Sequence, residues 1–203
     1  MTKFDELNQL KRFFSTMEIS ESEKKKRADL AYLLYDAIYF TFALIKVEKE
    51  IEERDFTTNA LVVDQYRETL ENRIADALHR EGVSYEPDYV PQLVNDIIET
   101  TDRHPDDPYY LSQDRALLIA QNESNSAYNY SDYDNAKKSG KQYKTWLAEV
   151  DDKTREWHLE VDGTKIPIDE MFHVGKDEML FPHDYLRGSA ENLVNCRCVC
   201  VYE

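Results

Sequence analysis

The chain has 203 residues, of which 33% are charged and 41% hydrophobic, with only five glycines and six prolines. This composition excludes collagen-like and largely disordered chains and predicts one folded domain or two small ones. The sequence has 25 basic and 41 acidic residues, a formal net charge of −16. The average surface therefore repels DNA phosphates and anionic lipid headgroups. Contact with packaged DNA is therefore not supported by the overall charge, although a local basic patch stays open.

No segment at the amino terminus has the apolar length of a signal peptide. The longest uncharged apolar run, Ala37 to Ile45, is far shorter than the ~20 residues that a membrane span needs. The three cysteines, Cys196, Cys198 and Cys200, alternate along one segment, and side chains two apart on a strand do not meet disulfide geometry. We therefore expect a cytosolic chain with reduced thiols and no membrane contact.

The first hundred residues follow a helical pattern. Ser20 and Glu23 fit a capping box, and the apolar residues after them recur at three- and four-residue steps, which predicts a helix from about Glu21 to Arg54. Its middle is apolar around most of the circumference, so it needs covering partners. Those partners can come from this chain or from another, and an exposed apolar segment from Tyr32 to Ile45 would suit a contact with another protein.

Further helices and a linker follow in this half. The pattern predicts a helix from Thr58 to Arg80 and a short one from Pro91 to Ile98. Two prolines and a charge cluster in residues 102–108 cannot continue a helix and indicate a linker. We therefore predict a helical region over residues 1–104 and a second domain over residues 105–203.

The second half changes from helical to strand patterning. Ser112 to Tyr130 and Tyr133 to Ser139 are predicted helices. A period of two then predicts strands around Tyr143 to Leu147, Trp157 to Val161 and Val194 to Tyr202. The predicted fold class is α+β, an amino-terminal helical region followed by a small domain of two helices and an antiparallel sheet.

Three side chains carry donor types that suit zinc. His158, Cys196 and Cys198 offer an imidazole and two thiolates, and a fourth ligand could come from His173 or His183. The alternative is that the two cysteines are small buried hydrophobic residues, because structural zinc sites usually show paired C-x₂₋₄-C spacing. Zinc is therefore left open as a cofactor.

Other polar motifs have simpler structural interpretations. Asp152 and Thr154 suit a turn or a cap, because their side-chain oxygens can bond nearby backbone N–H groups. Glu-x-Glu pairs of the kind that some transferases use occur at residues 21–23 and 48–50, but both lie in helical sequence, where solvated faces explain them. No phosphate-binding glycine loop and no paired nucleophile and base are found, so no catalytic residue is predicted.

The stretch from about Arg115 to Tyr202 resembles the phage Mu F-like head morphogenesis family of minor capsid proteins. The terminal Asn-Cys-Arg-Cys is its most specific piece. Lys153 departs from the usual arginine of the family, and Gln121-Asn122 from its usual Arg-Thr. The residues that carry the resemblance are Arg115, Glu123, Trp146, Asp152, Thr154, Arg155, His158, Gly163, Asn192, Asn195, Cys196, Arg197 and Cys198.

The resemblance implies a structural role in a phage or prophage particle and no enzymatic activity. It implies a minor head protein at the portal or the procapsid interior, acting in head assembly and in DNA packaging or ejection. Its partners would be the portal or other capsid proteins, with residues 1–104 as the candidate contact. It would be found in the host cytoplasm during assembly and then inside the virion head. The alternative is a stand-alone effector, or a leader module for a toxin, derived from the same domain.

Overall fold

The computed structural model describes residues 3–52 and 66–203 and consists of helices followed by small sheets. Within these described residues, four α-helices precede residue 104, and a 3₁₀ helix at Pro108–Leu111 leads into a long fifth α-helix. The α-helices are α1 (Lys3–Ser15), α2 (Glu21–Glu52), α3 (Arg67–Arg80), α4 (Tyr89–Asp102), α5 (Gln113–Lys138), α6 (Glu156–Glu160) and α7 (Ala190–Leu193).

Five short strands form two antiparallel sheets in the described part of the chain. The strands are β1 (Tyr143–Leu147), β2 (Lys165–Pro167), β3 (Phe172–Val174), β4 (Asp177–Met179) and β5 (Val199–Tyr202). β1 is central in the order β2-β1-β5, and β3 and β4 form a separate hairpin. The predicted α+β class, with helices first, is confirmed.

The capping box at the start of α2 is confirmed. The Ser20 N–H donates to Glu23 Oε2 at 3.0 Å, and the Glu23 N–H donates to Ser20 Oγ at 3.3 Å, so two otherwise unpaired donors of the first turn are satisfied. The predicted end at Arg54 and the predicted start at Thr58 of the following helix lie outside the described residues. From Arg67 that second helix is present as α3.

The predicted exposed surface on α2 is mostly covered within the chain itself. By length and composition α2 could cross a membrane, but the same property is found in core helices. Phe40 is exposed by 44%, whereas the apolar residues on the other face pack against α1, α3 and α5. Those with 1% exposure or less are Ala28, Leu30, Ala31, Leu34, Ile38, Phe42 and Ile45. Partners from this chain therefore cover most of this segment, as one of the two alternatives predicts, and the hypothesis of a continuous exposed surface from Tyr32 to Ile45 is wrong.

The largest hydrophobic cluster includes side chains from both sides of the predicted linker. α2 lies against α5, and the buried Arg27 joins them: its Nη1 donates to Asn125 Oδ1 at 2.7 Å and its Nη2 to Asp132 Oδ2 at 3.0 Å. The division after residue 104 stays a prediction, since the helices before it and α5 after it contribute to one core.

The two helices predicted over residues 112–139 are one helix, α5. The polar pair Ser131 and Asp132 predicts a break, but both side chains have partners in the folded chain. The Ser84 N–H donates to Ser131 Oγ at 3.2 Å, and Asp132 accepts from Arg27. The helix ends before Gly140. This residue has a φ of +74°, which glycine adopts without strain because it has no Cβ.

The predicted strand from Trp157 to Val161 is wrong, because residues 156–160 form α6. The predicted strand would bury Leu159 on the same face as Trp157 and Val161, yet Leu159 is 38% exposed and its neighbour His158 is buried. The predicted last strand is shorter than expected: β5 begins at Val199, since Asn195 adopts a φ of +59° and turns the chain before it.

Candidate functional site

Three predicted site residues meet in the core of the carboxy-terminal region. His158 comes from α6, and Cys196 and Cys198 come from the segment before β5. The His158 Nδ1 atom lies 3.4 Å from Cys198 Sγ and 3.7 Å from Cys196 Sγ, and all three residues are at most 2% exposed. Trp146 of β1 closes one side, with its ring edge-to-face on the imidazole. The cluster is therefore shielded from solvent.

Asn192 of α7 determines which imidazole nitrogen carries the proton. Its Nδ2 donates to Val174 O at 3.0 Å and to Asp177 Oδ2 at 2.8 Å. Its Oδ1 accepts from Trp157 Nε1 at 2.6 Å and lies 3.0 Å from His158 Nε2. Because that oxygen can only accept, Nε2 holds the hydrogen and the Nδ1 lone pair faces the two sulfurs.

The two thiols form a coupled pair. The hydrogen bond between them holds the pKa of Cys196 well below its usual value and raises the pKa of Cys198 well above it, and burial adds to the rise at Cys198. Cys198 therefore holds its proton more firmly than Cys196 does. All three cysteines, including Cys200, are free.

The cluster offers three of the four ligands that a structural zinc ion takes. Bonds of ~2.0 Å to nitrogen and ~2.3 Å to sulfur at a tetrahedral angle place the two atoms about 3.5 Å apart, close to the 3.4 and 3.7 Å found here. A ligating histidine usually donates its other N–H to a neighbouring acceptor, as His158 does to Asn192. These residues would hold the ion and zinc would stabilise the fold, which stays a prediction.

The expectation that His173 or His183 supplies a fourth ligand is wrong. His173 lies on the exposed face of β3, with Nδ1 3.2 Å from Glu178 Oε1. His183 is buried, but its Nε2 lies 2.9 Å from the backbone oxygen of Cys196. In the part of the chain that the structure describes, the cluster of candidate ligands has three members.

Arg115 and Glu123 of α5 fasten that helix to α4. Arg115 Nη1 donates to Thr101 Oγ1 at 2.8 Å, and Nη2 donates to Ile97 O at 3.2 Å. Glu123 Oε2 accepts from the Tyr89 hydroxyl at 2.8 Å, and burial raises the pKa of Glu123 to about 7. Both residues stabilise packing between helices.

The turn predicted around Asp152 and Thr154 is present, but a neighbouring residue organises it. Asp151 Oδ1 accepts from the Lys153 N–H at 3.0 Å, from Thr154 Oγ1 at 3.0 Å and from Arg197 Nη2 at 2.7 Å. Asp152 is exposed. The sequence could not separate the two adjacent aspartates. Gly163 has the φ of +70° that its turn requires.

A polar stripe on α5 was not predicted to matter. Asn125 Nδ2 donates to Cys196 O at 3.1 Å, and Asn129 Nδ2 donates to Cys198 O at 3.2 Å. Gln121 Nε2 donates to Asn195 Oδ1 at 2.6 Å, one turn earlier. The four-residue spacing of three side-chain amides on a predicted helix was the signal available in the sequence.

Comparison with known proteins assigns the chain to a family. The model of the family described as phage Mu protein F like protein matches residues 49–201, so the chain belongs to that family. The match begins inside α2, well before Arg115, so the family pattern covers more of the helical region than the motifs indicate. No solved structure matches the chain.

A curated relative carries a different description. The NAD(+)--arginine ADP-ribosyltransferase EFV of Enterococcus faecalis (strain ATCC 700802 / V583) is 30% identical over 142 residues, which are 68% of this chain and 26% of that protein. The chain thus spans about a quarter of the length of this relative.

The zinc prediction is tested by elemental analysis of the purified chain. We expect about one zinc per chain and a lower melting temperature after chelation, because the ion binds only the folded state. Cys198→Ala should remove the metal, whereas Cys200→Ala, which changes the same residue type outside the cluster, should retain it. A zinc-free protein from zinc-supplemented medium would contradict the prediction.

Glu123 should make stability depend on pH. Its raised pKa means that the folded state keeps a proton that the unfolded state has lost, so the free energy of unfolding decreases as pH rises from about 4.5 to 7. Glu123→Gln should remove this pH dependence. Its free energy of unfolding should exceed that of the natural chain by about 1–3 kcal/mol between about pH 5 and 8. Urea denaturation at several pH values measures the free energy of unfolding of both proteins. Glu86→Gln, at an exposed glutamate that also accepts from a tyrosine, should show no such gain.

Proposed function

We propose that the protein is a minor structural component of the phage head that binds the portal and takes part in head assembly. The observation that carries the proposal is that three buried polar side chains of the motifs are paired within the protein. His158, Asn192 and Arg115 use their polar atoms on neighbouring side chains and backbone carbonyls. Such groups stabilise a rigid body instead of facing a substrate.

Head proteins act through contacts with other capsid proteins, and one exposed feature of the helical region suits such a contact. Phe40, Ala43 and Val47 of α2 are exposed and, with the half-buried Leu44 between them, lie at the i, i+3, i+4 and i+7 positions of one face. We name these four residues the α2 stripe. Exposed apolar side chains on one helix face are typical of protein interfaces.

The portal proposal is tested by mixing the full chain with the portal protein encoded by the same phage or prophage. We expect a complex that elutes together on size-exclusion chromatography. Val47→Asp, in the α2 stripe, should weaken the complex at least about tenfold, because a charge then enters an apolar contact.

The matched control is Val150→Asp, which changes another exposed valine, in the carboxy-terminal region, and should leave binding unchanged. A chain that elutes as a monomer, separately from the portal protein, contradicts the proposal. Equal loss with both variants would contradict the placement of the contact on α2 and leave portal binding itself supported.

The alternative, an effector or toxin-leader module, is favoured by the relative named as an arginine ADP-ribosyltransferase. We propose that this chain itself does not transfer ADP-ribose. Both glutamates of the Glu-x-Glu pair at the start of α2 have partners within the helix. Glu21 forms an ion pair with Lys24, and the Glu23 carboxylate accepts from the Ser20 N–H. Incubation with NAD⁺ and an arginine analogue should release no nicotinamide above the blank. Release that Arg155→Ala abolishes without unfolding the chain would identify an enzyme.

A further inference from the structure

A cleft of about 610 Å³ lies where α1 meets the turn of Asp151 and the segment before β5. This volume is within the range of small-molecule sites. The cleft is separate from the thiol cluster, which is buried. Its walls are Gln9, Arg12, Phe13, Thr16, Gln121, Lys153, Arg155, Asn195 and Arg197.

The charge of this cleft is opposite to that of the protein. Four of its nine lining residues are basic and none is acidic, although the chain carries a net charge of −16. Arg197 is neutralised by Asp151 at 2.7 Å. Within the described residues, Arg12, Lys153 and Arg155 form no ion pair. Three positive charges therefore converge on one concave surface, which favours an anionic ligand.

Two of the guanidinium groups are held in place before any ligand binds. Arg155 Nη2 donates to Val194 O at 2.6 Å. Arg197 Nη1 donates to Thr16 Oγ1 at 2.9 Å, and its side chain is only 12% exposed. Fixed side chains lose little rotamer entropy on binding, and a guanidinium fork matches the oxygens of a phosphate group.

The remaining walls indicate what is attached to the phosphate. Phe13 is half-buried, packed edge-to-face on Phe14 with ring centroids 5.0 Å apart, and lines the cleft beside the side-chain amides of Gln9 and Gln121. An aromatic ring can stack on a base, and amides can bond its edge.

We propose that this cleft binds a nucleotide, with its phosphates on Arg12, Lys153 and Arg155 and its base against Phe13. The nucleotide can be free or can be the 5′-phosphorylated end of a DNA strand, since both present the same chemistry. The cleft and the α2 stripe have no residue in common. Nucleotide binding can therefore be present or absent whether or not α2 binds the portal.

Isothermal titration of the full chain with ADP tests the site, with a 5′-phosphorylated tetranucleotide and inorganic pyrophosphate as further probes. We expect one ADP per chain and weaker binding of pyrophosphate, which lacks the base. Lys153→Ala and Arg12→Ala should each weaken ADP about tenfold, because each removes a charged donor to phosphate. Phe13→Leu should weaken ADP and leave pyrophosphate unchanged.

Lys11→Ala is the matched control, since Lys11 is an exposed cation next to Arg12 that does not line the cleft. It should bind ADP like the natural chain. Equal loss with Lys11→Ala and Lys153→Ala would reduce the effect to general charge and overturn the site. Failure of both ADP and the tetranucleotide to bind at millimolar concentration would also overturn it, as would tight binding of a glutamate-rich peptide with no binding of ADP. Tighter binding of ADP would identify a free nucleotide as the ligand, and tighter binding of the tetranucleotide would identify the 5′-phosphorylated end of a DNA strand.

Discussion

The side-chain amide of Asn125 links three parts of the molecule. Its Oδ1 accepts from Arg27 of α2, and its Nδ2 donates to the backbone oxygen of Cys196, while the residue itself belongs to α5 and is fully buried. A buried amide that loses one partner costs about 1–3 kcal/mol. The packing of α2 and the position of the cysteine segment are thus set by the same group. The helical region and the sheets depend on it together.

The thiol cluster follows the same logic at the other end of the segment. Asp177 and Val174 orient Asn192, Asn192 orients His158, and His158 presents one lone pair to two sulfurs. Each step exists because the preceding group can only donate or only accept. A chain of such constraints keeps a single proton arrangement in a solvent-free core. The same arrangement suits a zinc ion and suits a hydrogen-bonded thiol pair.

Much of the helical half could be predicted from the sequence, because capping chemistry and apolar spacing are local properties. Ser20 and Glu23 fixed the start of α2 in this way. The errors arose where tertiary partners decide the outcome: Ser131 is polar within a continuous helix because Ser84 bonds it, and Trp157 begins an alternating run that forms a helix around buried His158. The cluster of His158, Cys196 and Cys198 was predicted from donor types. The role of Asn125 was not, because an asparagine in a helix carries no sign of its partners 98 and 71 residues away.

The contact of Arg197 with Thr16 joins positions 181 residues apart. Closing so large a loop adds only a modest entropy penalty, since the penalty grows with the logarithm of length, but non-local contacts of this kind slow the conformational search. α1 completes one wall of the basic cleft while touching the last segment of the chain. α1 itself packs on α2 within the main core, so the late step is the arrival of the last segment, which completes the cleft against an α1 that is already in place.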